Sequence, residues 1–85
     1  MEKSWFFEPR APAKIFEAAD QMKWDVGAER FLREPGMSWL KEAWIIGRFG
    51  LIISADQVAL NSTDPPDACL WKDGKEFQIE ITEAL

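Results

Sequence analysis

The chain has 85 residues, a net charge of −5, no histidine and a single cysteine, Cys69. These facts exclude an intrachain disulfide, a histidine-based catalytic triad and most zinc sites within the sequence, because each requires residues that it lacks. They predict one domain over 1–85, mainly helical over 1–53 and acidic and β-rich over 54–85. The lone cysteine and the lack of a signal segment favour a cytoplasmic protein, and no stretch is apolar and long enough to predict a membrane span.

An extended arm, residues 3–9, is expected first, followed by a helix from Pro12 to about Lys23. Proline suits the first turn of a helix, because the N–H group that it lacks has no intrahelical partner there. Apolar residues then recur at helical spacing, which predicts one buried stripe. The stripe contains Ile15, Phe16, Ala19 and Met22.

Two further helices are expected before the acidic part of the chain. Residues 28–34 form the shorter one, which Pro35-Gly36 stops. Ser38 is a favourable N-cap for the longer one, Trp39 to Phe49, whose apolar residues cover one broad face.

Strand character dominates the last third. Residues 57–60 are a short strand candidate, residues 61–66 have turn chemistry, and two strands, 67–72 and 75–82, flank Asp73-Gly74. An Asp-Gly pair between two such runs is a strong signal for a β-hairpin. The predicted class is α+β, with two or three N-terminal helices packed on a small antiparallel sheet that ends in a C-terminal hairpin.

A two-residue turn at Asp73-Gly74 sets the register of the hairpin and places Asp67 opposite Glu80. Side chains that face each other across strands lie about 5 Å apart at Cβ, and like charges there are destabilising. We therefore expect a divalent cation, a lysine or arginine, a shared proton or solvent to offset the repulsion. The hairpin's apolar face contains Ala68, Leu70, Phe77, Ile79 and Ile81, and its polar face contains Asp67, Cys69, Trp71, Glu76, Gln78, Glu80 and Thr82.

Pro66-Asp67 and Glu80-Ile81-Thr82 resemble the motif of the PD-(D/E)XK nuclease-like superfamily, in which a helix precedes a hairpin that carries two acids and a lysine. The resemblance covers residues 37–85. It implies that Asp67 and Glu80 bind Mg²⁺ or Mn²⁺, with Glu42 on the preceding helix as a further acid. Oxygen ligands from one or two carboxylates are what Mg²⁺ usually takes from a protein.

The sequence departs from that family in two places. Thr82 stands where the family has its lysine, and the sequence given ends at Leu85, before the helix and strand that complete the family's core. The resemblance is therefore to a shortened relative without the lysine, and a metal-dependent nuclease or a fragment of one is the alternative interpretation.

The distribution of charge favours a protein partner. Residues 1–53 contain eight acidic and eight basic residues, whereas residues 54–85 contain seven acidic and two basic ones, so the whole excess lies in the last third. Such a surface does not suit direct binding of nucleic acid, but it suits a basic protein surface. The main interpretation is a non-catalytic interaction module without a cofactor. Its expected binding residues are Asp64, Asp67, Trp71, Asp73, Glu76, Glu80 and Glu83.

In size and charge the chain resembles the small phage-type inhibitors of DNA defence systems, which include anti-CRISPR and anti-restriction proteins. The resemblance implies that its carboxylates occupy arginine and lysine sites meant for phosphates on a nucleic-acid-binding effector.

Two further expectations concern the sheet. A terminal strand at 75–82 leaves an edge for homodimerisation or for capture of another protein, unless the N-terminal arm, residues 3–8, covers that edge. Cys69 has no basic neighbour in sequence to activate it, so an inert thiol is expected.

Overall fold

The computed structural model describes residues 2–63 and 66–81. Within these residues, three α-helices precede a three-stranded antiparallel sheet in the order β1-β2-β3, which confirms the α+β class. The helices are α1 (Pro12–Val26), α2 (Ala28–Arg33) and α3 (Ser38–Ile52), and the strands are β1 (Gln57–Leu60), β2 (Ala68–Lys72) and β3 (Lys75–Ile79). Short 3₁₀ helices occur at Lys3–Phe7 and Pro35–Met37. In these described ranges no helix combines the length and apolar character needed to cross a membrane.

The two long helices extend beyond their predicted ends. Helix α1 continues to Val26, and Gly27, at φ 90°, separates it from α2. Helix α3 begins at Ser38 itself and continues to Ile52. Ser38 has helical backbone angles because the preceding 3₁₀ turn leads directly into α3, so it is not the N-cap that the sequence suggests.

The N-terminal segment is helical rather than extended, which corrects the expected arm. Phe6 is fully buried in its 3₁₀ helix, and its ring lies 5.6 Å from that of Trp39. The chain then pairs with the sheet at the β1 edge, where the backbone of Arg10 exchanges hydrogen bonds of 3.1 and 2.8 Å with Val58. The segment therefore lies beside β1, and the edge of β3 is not covered by it.

Helix α3 is the centre of the packing, since it contacts both α1 and β1. Its two buried glycines allow the close approach. A Cβ atom on Gly47 would lie 2.8 Å from the backbone nitrogen of Phe16, and one on Gly50 would lie 2.9 Å from Val58 Cγ1. Side chains from the 3₁₀ segment, the three helices and the sheet fill the core around α3.

The hairpin has the predicted register, with Trp71 opposite Glu76 and Ala68 opposite Ile79. Asp73 and Gly74 have φ values of 53° and 77°, the positive angles that a type I′ turn requires. Both strands are shorter than predicted: β2 begins at Ala68 rather than at residue 67, and β3 ends at Ile79 rather than at residue 82. The next hydrogen-bonding position would pair Pro66 with Ile81, and proline has no N–H group to donate, so the ladder stops there.

Candidate protein-binding face

The sheet has one face packed on the helices and one turned away from them. Val58, Leu60, Ala68 and Leu70 are buried on the helix side. Because side chains alternate along a strand, the intervening residues share the other face. We call this face the outer sheet face; its members are Gln57, Ala59, Cys69, Trp71, Glu76 and Gln78.

Trp71 and Glu76 form a defined pair on the outer sheet face, next to the turn. They lie directly opposite each other on β2 and β3, and the Trp71 Nε1–H group donates a 3.1 Å hydrogen bond to Glu76 Oε1. Trp71 is half-buried and Glu76 is exposed. The indole is therefore held in one orientation beside a carboxylate that remains open to solvent.

The turn end of the hairpin also contains carboxylates. The backbone N–H of Asp73 donates a 3.0 Å hydrogen bond to Asp56 Oδ2, which ties the turn to the start of β1. The Asp73 side chain is 83% exposed and lies 4.0 Å from Lys72 Nζ. Lys72 Nζ also donates a 3.4 Å hydrogen bond to the carbonyl of Ser54. Lys72 thus lies close to Asp73, and Lys75, opposite Lys72 on β3, is a second cation at this end of the hairpin.

Asp56 is a member of this acidic group that the sequence analysis did not select. It lies seventeen positions before Asp73, so the contact depends on the register of β1 against the hairpin. The sequence contains a signal for this contact, because Asp56 directly precedes the strand candidate 57–60 and the hairpin turns at Asp73-Gly74.

Asp67 has a structural role at the other end of the hairpin. Its Oδ2 atom accepts a 2.7 Å hydrogen bond from the Ile81 N–H group, and its carbonyl accepts a 2.9 Å bond from the N–H of Asn61. Glu80 lies just beyond the last paired residue of β3 and is exposed. The carboxylate of Asp67 is thus met by a backbone N–H group, a partner that the sequence analysis did not consider.

The three candidate metal ligands do not all line the same cavity. Asp67 and Glu42 line one open polar cavity of about 350 Å³, together with Lys3 and Asn61, whereas Glu80 lines a separate groove. In residues 2–63 and 66–81 no group of three or more aspartate, glutamate, cysteine or histidine residues could hold a metal ion. The described residues therefore do not supply the site of three carboxylates that the nuclease resemblance implies.

Cys69 lies on the outer sheet face, half-buried, next to the Trp71–Glu76 pair. Burial raises the pKa of its thiol, and the negative charge of Glu76 raises it further. A raised pKa reduces the fraction of thiolate at neutral pH, and the thiolate is the reactive form. The environment is therefore that of an unreactive thiol.

Asp64, Thr82 and Glu83, which the sequence analysis selected, lie outside the described residues. Among the described candidates, Trp71 and Glu76 are in contact, Asp73 lies at the turn, and Asp67 and Glu80 lie at the opposite end of the hairpin. Comparison with family models, curated proteins and solved structures found no match to this chain.

Proposed function

We propose that this protein is a non-catalytic interaction module whose outer sheet face binds a basic surface of another protein. The observation that supports this proposal is the Trp71–Glu76 pair, a half-buried indole held beside an exposed carboxylate by a 3.1 Å hydrogen bond. Tryptophan residues of this kind are frequent anchors of protein interfaces.

Among the side chains that a partner protein can offer, arginine fits this pair best. A guanidinium group stacks on an indole ring and at the same time forms hydrogen bonds with a carboxylate. The same protein contains such an arrangement, because the guanidinium carbon of Arg10 lies 4.0 Å from the centroid of the Trp5 ring and its Nη2 atom lies 3.0 Å from Glu8 Oε2. Trp71 and Glu76 offer the corresponding two groups to an arginine of a partner.

The surrounding charge extends this preference to a cationic surface. Asp56 and Asp73 lie at the turn end of the hairpin, and Glu80 follows the end of β3. Carboxylates in this position attract arginine and lysine side chains and repel phosphates. The proposed partner is therefore a protein whose basic surface binds nucleic acid, and the proposed effect is competition for that surface. An inhibitor of a DNA defence protein, of the anti-CRISPR or anti-restriction type, is the form of this function that size and charge support.

The first test is a calorimetric titration with nona-arginine and nona-lysine peptides at physiological ionic strength. We expect tighter binding of nona-arginine, and we expect Glu76→Gln to weaken it several-fold because the oriented carboxylate is lost. Glu29→Gln is the matched control, since it removes the same charge from an exposed position on α2. Equal effects of the two substitutions would show that binding depends on net charge alone and would contradict the proposal.

The second test addresses the partner. Purified CRISPR effectors and restriction endonucleases are mixed with labelled DNA, and the protein is added at increasing concentration. We expect displacement of DNA from at least one of these proteins, with a loss of displacement for Trp71→Ala. The protein alone should not bind the DNA. Binding to DNA without an effector would contradict the proposed mode of action.

A further inference from the structure

The outer edge of β3 is open along the described chain. In a two-residue hairpin that Lys72 and Lys75 close, alternation turns the N–H and C=O groups of Glu76 and Gln78 away from β2. Strand β3 is last in the sheet order, and no strand within residues 2–63 and 66–81 pairs with these groups. An unpaired edge of this kind is a template for a strand from another chain.

Apolar surface lies on the helix side of the same edge. A groove of about 340 Å³ separates α3 from the end of β3. Its lining residues are Ile45, Ile46, Phe49, Ile79, Glu80 and Ile81. Phe49 is 41% exposed, and Phe77, on the same face of β3 as Ile79, is 45% exposed. An open edge next to exposed apolar side chains combines the two features that an intermolecular sheet buries.

We propose that β3 pairs with β3 of a second copy of this chain, antiparallel and about a two-fold axis, so that the two sheets join into one. The proposed register places Phe77 opposite Phe77 of the second copy. Glu76 of each copy then lies opposite Gln78 of the other, and these are the residues whose backbone groups point outward. The whole of β3, Lys75–Ile79, is paired with itself in this register.

The charges along β3 favour this register and a second copy as the occupant. Lys75 at the start of one strand comes to lie beside the Ile79–Glu80 end of the other, and no two like charges face each other. A shift in one direction would place Glu76 opposite Glu76, and a shift in the other direction would place it opposite Glu80. Like charges directly opposite each other are destabilising, so the two neighbouring registers are disfavoured.

Dimerisation goes beyond the proposed function and does not depend on it. A two-fold axis perpendicular to the joined sheet places both outer sheet faces on the same side, and each Trp71–Glu76 pair stays accessible. The dimer would therefore present two identical binding sites to one extended partner. Since the test of dimerisation contains no ligand, its failure is distinguishable from a failure to bind basic proteins.

Sedimentation equilibrium tests the proposal over protein concentrations from about 1 μM to about 1 mM. We expect a monomer–dimer equilibrium for the unaltered chain. For Phe77→Lys we expect a dimer dissociation constant at least tenfold higher, because the substitution places two lysines opposite each other across the axis. Gln78→Pro should have a similar effect, because it removes an outward N–H group and leaves the pairing with β2 intact. Leu32→Lys is the matched control, since Leu32 is 63% exposed on α2.

Disulfide cross-linking tests the proposed register separately. In a Cys69→Ser background, Phe77→Cys should form an intermolecular disulfide under mild oxidation, whereas Ile79→Cys should not. A chain that remains monomeric at every concentration would overturn the proposal and leave the edge to a foreign strand. A dimer that both edge substitutions leave unchanged, or one that cross-links through residue 79 rather than 77, would overturn it as well. Circular dichroism identifies a variant that fails to fold. If an edge substitution prevents folding, the disulfide pattern is the measurement that tests the dimer.

Discussion

The Asp67 carboxylate accepts a 2.7 Å hydrogen bond from the Ile81 N–H group, across the point at which the β2–β3 ladder ends. The carbonyl of Asp67 also accepts a bond from the Asn61 N–H. One residue therefore joins the end of β1 to the end of β3. This contact satisfies the Ile81 N–H group just beyond the last paired residues, and it gives the aspartate a structural role.

Removal of this carboxylate should destabilise the fold. For Asp67→Ala we expect the free energy of unfolding to fall by about 1–3 kcal/mol, because the Ile81 N–H group loses a charged acceptor. Urea denaturation followed by tryptophan fluorescence measures the change. Glu80→Gln is the control, since Glu80 is exposed and lies beyond the ladder.

The same two variants examine the nuclease alternative. We expect titration of the unaltered chain with Mg²⁺ or Mn²⁺ to show no binding that depends on Asp67 or Glu80. Metal binding at micromolar concentration that is lost in both Asp67→Ala and Glu80→Gln would instead favour the alternative, in which the two carboxylates share an ion.

The close approach of α3 to α1 depends on Gly47. A methyl group there would lie 2.8 Å from the backbone nitrogen of Phe16, which cannot move without moving α1. We expect Gly47→Ala to lower the free energy of unfolding by about 1–3 kcal/mol, the usual cost of overpacking. Thermal unfolding measured by circular dichroism provides the comparison.

Gly36→Ala is the matched control for that experiment. No atom lies within 4 Å of the position that a Cβ on Gly36 would take. The substitution should therefore leave stability unchanged or raise it slightly, because alanine restricts the unfolded chain. A similar loss of stability in the two variants would mean that helix contact is not the reason for glycine at position 47.

The turn residues of the hairpin should respond according to their backbone angles. Gly74 has φ 77°, a conformation that costs a residue with a Cβ atom more than it costs glycine. Gly74→Ala should thus destabilise the protein by about 1 kcal/mol although no atom lies near the added methyl group. Asp73→Asn, at φ 53°, should be tolerated, since asparagine adopts positive φ readily. Urea denaturation of both variants distinguishes backbone strain from loss of contacts.

The features that the sequence predicted are those with a local physical cause. The Asp73-Gly74 turn sets the hairpin register because a two-residue turn leaves no freedom in the pairing. Helix α1 follows from the apolar spacing and from Pro12. The burial of Phe6 was not predicted, because a 3₁₀ helix of five residues has no repeating pattern. The contact of Asp67 with Ile81 was missed because it depends on where a ladder ends, which side-chain alternation does not indicate.

The pKa of Cys69 provides a test of the electrostatics around the Trp71–Glu76 pair. Burial is the larger cause of the raised pKa and the charge of Glu76 the smaller one. The rate of thiol alkylation by iodoacetamide should therefore rise with pH about a midpoint above the ordinary value of about 8.5. Glu76→Gln should lower the midpoint, whereas Glu29→Gln, on α2, should not change it.

The raised pKa of Cys69 also determines how the stability of the protein depends on pH. The folded protein holds the thiol proton more tightly than the unfolded chain does, so this contribution to stability is present below the unfolded pKa. It is lost as the pH rises through the folded pKa. Stability should therefore decrease at alkaline pH in the unaltered chain and decrease less in Cys69→Ser. If alkylation midpoints were identical with and without Glu76, the carboxylate would not lie close enough to the thiol to act on it, and the geometry proposed for arginine binding at Trp71 would need revision.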